Sequence, residues 1–292
     1  MKKLAVLLAL LVLLGGCGVN EVDIINTEPP QASIPAATPP AEPPSPAPSE
    51  TPAATPEPLA EDMVNIVDII PGIYIDTRYA TANNFTGEVI YASDAVYLRY
   101  GTALKLARVQ ESLNSQGLSL CIWDGWRSVP AQFKLWRVCP DPAYVANPFY
   151  GTSGHCRGNT VDITLVTAEG EPLEMPTDFD NFTALADRDY SDVSDEAARN
   201  ARLLEREMEA QGFSGYFAEW WHYTDSVAYE VLETLEAQER VTLAVGTPLL
   251  SAPDAAAPAA WLAGGEASVL ERLEGGWLLV RCEGKYGYVQ GR

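Results

Sequence analysis

Residues 153–162 read Ser-Gly-His-Cys-Arg-Gly-Asn-Thr-Val-Asp, and the chain continues with Ile-Thr-Leu-Val. The run at 161–166 is rich in β-branched residues and predicts a strand that carries the last aspartate. The polar stretch before it is then a loop that leads into this strand. Gly158 gives the loop the freedom to fold back, so that His155 and Asp162 approach each other.

Segments on either side of this strand have their own helix and strand signals. Helix-forming residues with Leu104, Ala107 and Leu113 on an apolar stripe predict a helix at 102–116, with Gly117 as its C-cap. The remaining signals predict a strand at 118–123, a short helix at 130–136 and a helix from the N-cap Ser194 to Gly212. Helices and strands in this non-alternating order predict an α+β domain.

The chain has only two histidines, His155 and His222. A catalytic zinc site keeps three protein ligands, often two histidines and a carboxylate, with water in the fourth position. Asp162 offers a carboxylate near His155, and Glu219 precedes His222 by three residues. In a helical segment or a tight turn Glu219 and His222 share a face, which places Glu219 to accept a proton from water. Spacing alone is equally compatible with two ordinary hydrogen-bonded histidines.

A resemblance to a known family extends over several ordered motifs. The pattern Ser-x-His-x-x-Gly-x-x-x-Asp at 153–162, followed by Glu-Trp-Trp-His-Tyr at 219–223, resembles the zinc D,D-peptidases. The sequences Asp-Thr-Arg-Tyr-Ala-Thr-Ala-Asn-Asn-Phe-Thr-Gly at 76–87 and Trp-Asp-Gly-Trp-Arg at 123–127 are similar to the VanX-type D-alanyl-D-alanine dipeptidases. The resemblance covers roughly residues 62–226. It implies an α+β domain with a central, mostly antiparallel sheet and flanking helices.

Two departures from the family pattern concern the rim of the pocket. Trp126 and Ser128 stand where the family usually has Tyr and Pro, and the stretch between Trp136 and Ser153 is short. The rim is therefore expected to differ from that of the family.

The resemblance assigns roles to residues of this chain. It implies one zinc ion held by His155, Asp162 and His222, with Glu219 as the general base that activates water. Arg127 matches the arginine beside the scissile carbonyl, where a guanidinium stabilises the developing oxyanion.

Two further positions concern the amino end of the substrate. Asp180 matches the carboxylate that meets the substrate ammonium, and Ser153 matches a serine near the same end.

The implied activity is zinc-dependent hydrolysis of D-alanyl-D-alanine or related D-containing dipeptides in cell-wall metabolism. One alternative is a D,D- or L,D-carboxypeptidase that trims peptidoglycan stem peptides. Asp180 separates the two, because a buried carboxylate that demands a free ammonium rejects longer peptides. A second alternative is a non-catalytic wall-binding lipoprotein, which the intact set of metal and catalytic positions disfavours.

Past Arg240 the chain has short strand-like pieces around Pro, Gly and Asp. Residues 275–280 read Gly-Gly-Trp-Leu-Leu-Val, and residues 284–289 read Gly-Lys-Tyr-Gly-Tyr-Val. They resemble the closing strands of a bacterial SH3-like barrel, although the segment at 247–253 departs from its usual first strand. The resemblance implies a small all-β SH3-like domain at 241–292, with peptidoglycan as its ligand.

The first residues have the features of an export signal. Two lysines precede an uncharged apolar run at 4–14, which is shorter than the roughly twenty residues that span a bilayer. Leu14-Gly15-Gly16-Cys17 resembles a bacterial lipoprotein box. Residues 1–17 are therefore predicted to be a lipoprotein signal, with plain secretion as the alternative. Lipidation of Cys17 would anchor the protein to the extracytoplasmic face of the cell membrane.

A spacer is predicted between this signal and the folded part. Of the 22 prolines, 12 lie between Pro29 and Pro58. Most of the other residues in this stretch are Ala, Glu, Ser and Thr. Such a composition buries too little apolar surface to offset chain entropy. Residues 18–60 are therefore predicted to be a disordered linker, and the dipeptidase domain is expected at 61–240.

Charge and cysteine content limit the function further. The chain has 40 acidic and 19 basic residues, a net charge of -21, which argues against binding to nucleic acid phosphates. Cys121, Cys139, Cys156 and Cys282 follow Cys17, and they allow three full disulfide pairings that the sequence does not distinguish. Cys156 is interpreted as structural, because neighbouring side chains on an extended segment point to opposite faces.

Overall fold

The computed structural model describes residues 56–254 and 258–291. Its first part contains four helices and seven strands. In chain order they are β1 (Met63–Asn65), α1 (Ile66–Ile69), β2 (Tyr74–Ile75), β3 (Tyr97–Arg99), α2 (Tyr100–Asn114), β4 (Leu118–Asp124), α3 (Val129–Val138), β5 (Thr160–Thr167), α4 (Asp195–Ala210), β6 (Phe213–Tyr216) and β7 (Glu219–Asp225). The predicted α+β class is confirmed.

Five of these strands form the central sheet, in the order β2-β4-β5-β7-β6. Only β2 and β4 are parallel, and the other neighbours are antiparallel. β5 lies in the middle and is buried on both faces, with residues 160–166 all buried. Because a shift by one residue would turn every side chain to the opposite face, the register of this buried strand fixes which side chains face each side of the sheet. Through its pairing on both sides, β5 therefore fixes the positions of β4 and β7.

Helices α2 and α4 pack against each other and against the sheet. The helix predicted at 102–116 spans Tyr100–Asn114, and Gly117 follows it with φ +75°. The predicted apolar stripe is wrong in part: Leu113 is buried, but Leu104 is exposed and Ala107 is only partly buried. The buried face instead follows Leu106 and Val109, because contacts with the sheet and α4 select the face. In α4 the N-cap is Ser194, as predicted, and its hydroxyl accepts a hydrogen bond from Ala197 N at 3.0 Å.

The C-terminal part is all-β. Its strands are β8 (Glu239–Leu243), β9 (Pro248–Leu249), β10 (Ala260–Trp261), β11 (Gly265–Arg272), β12 (Trp277–Cys282) and β13 (Lys285–Gln290). An antiparallel four-stranded sheet has the order β13-β12-β11-β8, and β9 pairs with β10. A small core of Leu249, Leu278, Val280 and Val289 lies between them.

The C-terminal sheet packs directly on α3. Phe133 of α3 contacts the rings of Tyr286 and Tyr288, with ring centroids 6.3 and 5.7 Å apart. The buried Glu233, in the connecting segment, accepts a hydrogen bond from Tyr286 Oη at 2.8 Å, and its carbonyl accepts one from Val129 N. The C-terminal sheet and the first part therefore share one apolar cluster.

All four cysteines of the folded part are free thiols. Cys156 is fully buried in the cluster between α3 and the C-terminal sheet, and burial raises its pKa to about 12. The side chain of its neighbour His155 points away from this cluster, as expected, but the expected extended backbone is wrong. Residues Gly154–Arg157 form a 3-10 helix rather than an extended segment.

Within the described residues, no helix combines the length and the apolar composition needed to cross a bilayer. The predicted lipoprotein signal at 1–17, with Cys17, and most of the predicted linker at 18–60 lie outside the described residues.

Candidate active site

A pocket of about 280 Å³ lies beside β5 and β7. All seven site residues proposed within the described part of the chain line it: Arg127, Ser153, His155, Asp162, Asp180, Glu219 and His222. Residues 142–146 also line the pocket. The seven site residues come from five separate segments, at 127, 153–155, 162, 180 and 219–222, so the fold brings them together.

Sheet register places Asp162 beside His222. The two residues are direct partners across β5 and β7, so their side chains emerge on the same face. His222 Nδ1 lies 3.0 Å from Asp162 Oδ1, and His155 Nε2 lies 3.3 Å from Asp162 Oδ2. One ligand atom from each of the three residues falls within 4.8 Å of the others. This is the spacing of a three-ligand metal site.

A capped 3-10 helix brings His155 to this face. Ser153 Oγ accepts a hydrogen bond from His155 N at 3.3 Å and caps the helix at its start. At its end Gly158 adopts φ +75°, the left-handed conformation that reverses the chain toward β5. A side chain at this position would also contact Met63 Sδ at 2.9 Å. The turn therefore depends on glycine for both conformation and space.

The remaining hydrogen bond of His155 fixes its ring. Its Nδ1 lies 2.8 Å from the carbonyl of Gly125, which only accepts hydrogen bonds, so Nδ1 carries the proton. Nε2 therefore faces Asp162 and is the nitrogen available to a metal ion. Burial lowers the pKa of His155, but the carboxylates of Asp162 and Asp124 outweigh it and raise the pKa overall.

Asp162 has an unsatisfied oxygen that a cation would explain. Among the described residues none donates a hydrogen bond to its buried Oδ1, although His222 Nδ1 lies nearby. Burial raises the pKa of Asp162, but the two histidines lower it well below its usual range, so the carboxylate is charged. A buried, charged and unsatisfied acceptor is costly on its own. Two imidazole nitrogens and this carboxylate form the donor set that zinc binds in hydrolytic sites, and the residues fit that metal.

Glu219 lies at the edge of the same group. Its Oε2 is 3.5 Å from His222 Nδ1. Burial raises the pKa of Glu219 to about 7, with Asp162 adding to the rise and His222 opposing it. A carboxylate with such a pKa takes up and returns a proton near neutral pH.

The expected local structure around Glu219 and His222 is wrong. Both residues belong to strand β7, not to a helical segment or a tight turn. A regular strand would point residues three apart to opposite faces. Here Gly215 pairs with Tyr223, but the next residue, Tyr216, pairs with Glu219, so β7 advances four residues while β6 advances one. This bulge re-aims the strand and returns Glu219 to the side of His222.

Arg127 forms part of the pocket wall. Its guanidinium donates to Asp124 Oδ2 at 2.6 Å and to Gln132 Oε1 at 2.9 Å, and it lies 5.2 Å from the centre of the Tyr79 ring. Burial lowers its pKa, but Asp124 and two tyrosines outweigh burial and raise it well above the ordinary value. The side chain is therefore a fixed cation in the pocket.

Asp180 lies on the same wall as Arg127. It is a non-glycine residue with φ +54°, and its Oδ2 accepts a hydrogen bond from Tyr79 Oη at 2.9 Å. Burial raises the pKa of Asp180 to about 7, and Asp162 adds to the rise. A strained backbone that holds a buried carboxylate toward a pocket is typical of a functional site.

Sequence reasoning missed several residues that support the site. Asp124 pairs with Asp162 across β4 and β5, lies 3.6 Å from His155 Nδ1 and binds Arg127. It belongs to the quoted Trp-Asp-Gly-Trp-Arg motif, so the signal was present. Tyr79, in the other quoted motif, binds Asp180. Gln132 had no signal of its own in the sequence.

Comparison with known proteins follows the same motifs. A family model described as D-ala-D-ala dipeptidase matches residues 60–236. The chain belongs to this family. The members of this family are zinc metallopeptidases. The part of this chain beyond residue 236 lies outside the matched region.

Curated relatives agree with this assignment. A D-alanyl-D-alanine dipeptidase of Escherichia coli is 36% identical over 162 residues, which cover 56% of this chain and 83% of that protein. A D-alanyl-D-alanine dipeptidase of Enterococcus faecium is 31% identical over 176 residues, which cover 53% of this chain and 87% of that protein. A crystal structure of the vancomycin-resistance D,D-pentapeptidase VanY with Zn(II) overlaps 46% of this chain and 75% of its own, with 16% identity and a TM-score of 0.30.

Proposed function

We propose that this family member hydrolyses D-alanyl-D-alanine, or a closely related D-containing dipeptide, with one zinc ion held by His155, Asp162 and His222. The observation that carries the proposal is the buried, unsatisfied Oδ1 of Asp162 between two imidazoles, with Glu219 beside them. When bound, zinc supplies a Lewis acid and lowers the pKa of water.

Glu219 is the proton carrier of the reaction. Water adds to the peptide carbonyl carbon, and Glu219 takes the proton that the water loses. The same carboxylic acid then gives that proton to the amide nitrogen as the carbon–nitrogen bond breaks, which releases two amino acids. The partly buried position of Glu219 and its raised pKa support both transfers.

Arg127 stabilises the negative charge that develops on the carbonyl oxygen. Asp124 and Gln132 hold its guanidinium in one orientation, so little reorganisation is needed when the charge appears. Its charge is permanent, because Arg127 cannot lose its proton in this setting.

Asp180 binds the free ammonium of the dipeptide, and Ser153 lies at the same end of the pocket. An ammonium supplies the counter-charge that the buried Asp180 lacks among the described residues, where only Tyr79 donates a hydrogen bond to its carboxylate. A pocket of about 280 Å³ also suits a ligand of dipeptide size.

In the same proposal, the remaining segments direct this chemistry to the cell wall. Residues 1–17 are a lipoprotein signal in this proposal, Cys17 is the lipid attachment site, and residues 18–60 are the linker to the catalytic domain at 61–240. Residues 241–292 form an SH3-like domain that binds peptidoglycan; the antiparallel order β8, β11, β12, β13 supports this assignment. The protein then works on the extracytoplasmic face of the cell membrane.

The test is the release of free D-alanine by the zinc-loaded protein. We expect D-alanyl-D-alanine to be cleaved, while N-acetyl-D-alanyl-D-alanine and a stem pentapeptide are much poorer substrates. Equal cleavage of the pentapeptide would replace the dipeptidase proposal with a carboxypeptidase. No cleavage of any of the three would favour a non-catalytic wall-binding protein.

A further inference from the structure

One arginine outside all of the motifs lies behind the β7 bulge. Arg188, between β5 and α4 in the chain, has a side chain that is only 7% exposed. Its guanidinium lies 4.3 Å from the centre of the Tyr223 ring. Its backbone N–H donates to the carbonyl of Phe217, so the residue is tied to this region at both ends.

Arg188 uses all five of its N–H donors there. Three of them go to backbone carbonyls around the bulge: Tyr216 at 2.9 Å, Trp220 at 3.0 Å and His222 at 3.0 Å. The other two go to the hydroxyl of Tyr223 and to Glu205, both at 3.2 Å. One planar cation therefore spans the two ends of the segment that carries Glu219.

These contacts replace hydrogen bonds that the bulge removes. Residues 220–222 have no partners on β6, because the pairing jumps from Glu219 to Tyr223. Buried carbonyls without partners are costly, so a bulge of this size needs another donor. Arg188 supplies it for two of the three residues.

Gly215 leaves the room that this arrangement needs. A β-carbon on Gly215 would overlap the central carbon and two nitrogens of the Arg188 guanidinium. The glycine is not in the left-handed region, so its conformation does not require glycine. The required feature is close approach of the arginine to β6.

We propose that Arg188 is a positioning residue that holds the β7 bulge and thereby sets the relative placement of Glu219 and His222. It acts through the backbone and touches neither the substrate nor the reacting atoms. The inference rests on the proposed function for the roles of Glu219 and His222, and its geometry is independent of the substrate.

The test compares Arg188→Lys and Gly215→Ala with the control Thr102→Val. Lysine keeps the charge but cannot span three carbonyls. Thr102 donates to Asp225 Oδ2 at 2.8 Å, at the other end of the same strand, so its loss weakens β7 without touching the bulge. Zinc affinity is measured by chelator competition, kcat and KM with D-alanyl-D-alanine, and thermal unfolding by circular dichroism.

We expect Arg188→Lys and Gly215→Ala to lower kcat and zinc affinity by about tenfold or more, the size of effect seen when groups supporting metal ligands are lost. KM should change little, and Thr102→Val should lower the unfolding temperature with wild-type kcat and zinc affinity. Gly215→Ala keeps Arg188 and all of its hydrogen-bond partners, and it tests the inference if the lysine variant does not fold.

Wild-type zinc affinity and kcat in Arg188→Lys and Gly215→Ala would overturn the inference, as would equal losses in Thr102→Val. If the wild-type protein does not cleave the dipeptide, the proposed function fails, while the zinc affinities still test Arg188.

Discussion

The two halves of the pocket are held in place by different means. His155 and Asp162 lie on a capped turn and on the central strand β5, which is paired on both sides. Glu219 and His222 lie on β7, whose outer neighbour β6 is the sheet edge and whose pairing contains the bulge. The first half is fixed by local backbone structure. The second depends on the side chain of Arg188, which is distant in sequence but in direct contact with β7.

The difference shows that one site can combine residues held by strand pairing with residues held by a side-chain contact. The metal-facing carboxylate sits where the sheet is least able to move. Glu219, which must approach water, lies at the start of β7, next to the edge strand β6. Substitutions in the two halves should therefore have distinguishable effects on zinc and on turnover.

The largest effect is expected from removing a ligand in either half. His155→Ala and His222→Ala each leave two protein ligands, so zinc should be lost on dialysis and dipeptide hydrolysis should fall to background. Metal content by mass spectrometry and D-alanine release check both. Unchanged zinc in either variant would remove that half from the metal site.

Glu219→Ala should separate binding from chemistry within the second half. The variant keeps all three ligands, so zinc content should stay at the wild-type level. Loss of the proton carrier should lower kcat by about 10²- to 10⁴-fold. A variant that loses zinc together with activity would make Glu219 a ligand instead.

Arg127→Lys tests whether the guanidinium in the pocket wall stabilises the developing oxyanion. An ammonium keeps the charge but loses the fork that Asp124 and Gln132 orient. We expect kcat to fall by about 10²-fold, as when one oxyanion donor is removed, with zinc content unchanged. Full activity of the lysine variant would place Arg127 outside the reaction.

Asp180→Ala should narrow the preference for a free ammonium. In the wild type, an acetylated dipeptide leaves the buried carboxylate without a counter-charge, which should cost about tenfold to a hundredfold in kcat/KM relative to D-alanyl-D-alanine. The alanine variant should lose most of this ratio, mainly through poorer use of the free dipeptide. An unchanged ratio would assign the ammonium to another group.

The smallest effect is expected at Gly158, which has a matched control. Gly158 and Gly117 both have φ +75°, so alanine at either should cost about 1 kcal/mol, or roughly 2–4 °C in unfolding temperature. Only Gly158 lies beside His155 and meets Met63, whereas the space around Gly117 is open. Zinc affinity should therefore weaken in Gly158→Ala alone, and equal affinities in the two variants would contradict the role of the turn.

The same contrast explains what the sequence predicts well. His155, Gly158 and Asp162 are seven residues apart at most, so turn chemistry and strand pattern locate them directly. The helix α4 has its own N-cap and was equally clear. Local signals suffice where local structure decides the outcome.

Long-range contacts account for what the sequence did not predict. The spacing of Glu219 and His222 predicts a helical segment or a tight turn, but the two residues lie on a bulged strand. This bulge depends on pairing with β6 and on Arg188, and neither contact has a local signal in the sequence. The buried face of α2 was set by the sheet and α4. The contact of the C-terminal sheet with α3, through Phe133 and Tyr288, had no local signal either.

In the proposed site, His155, Asp162 and His222 hold the zinc and Glu219 lies beside it. Anomalous diffraction at the zinc edge from zinc-loaded crystals tests this most directly. We expect one peak about 2.0–2.2 Å from a nitrogen of each histidine and an oxygen of Asp162, with the Glu219 carboxylate beyond bonding distance. A peak elsewhere, a second ion in the pocket or Glu219 as a direct ligand would contradict the account.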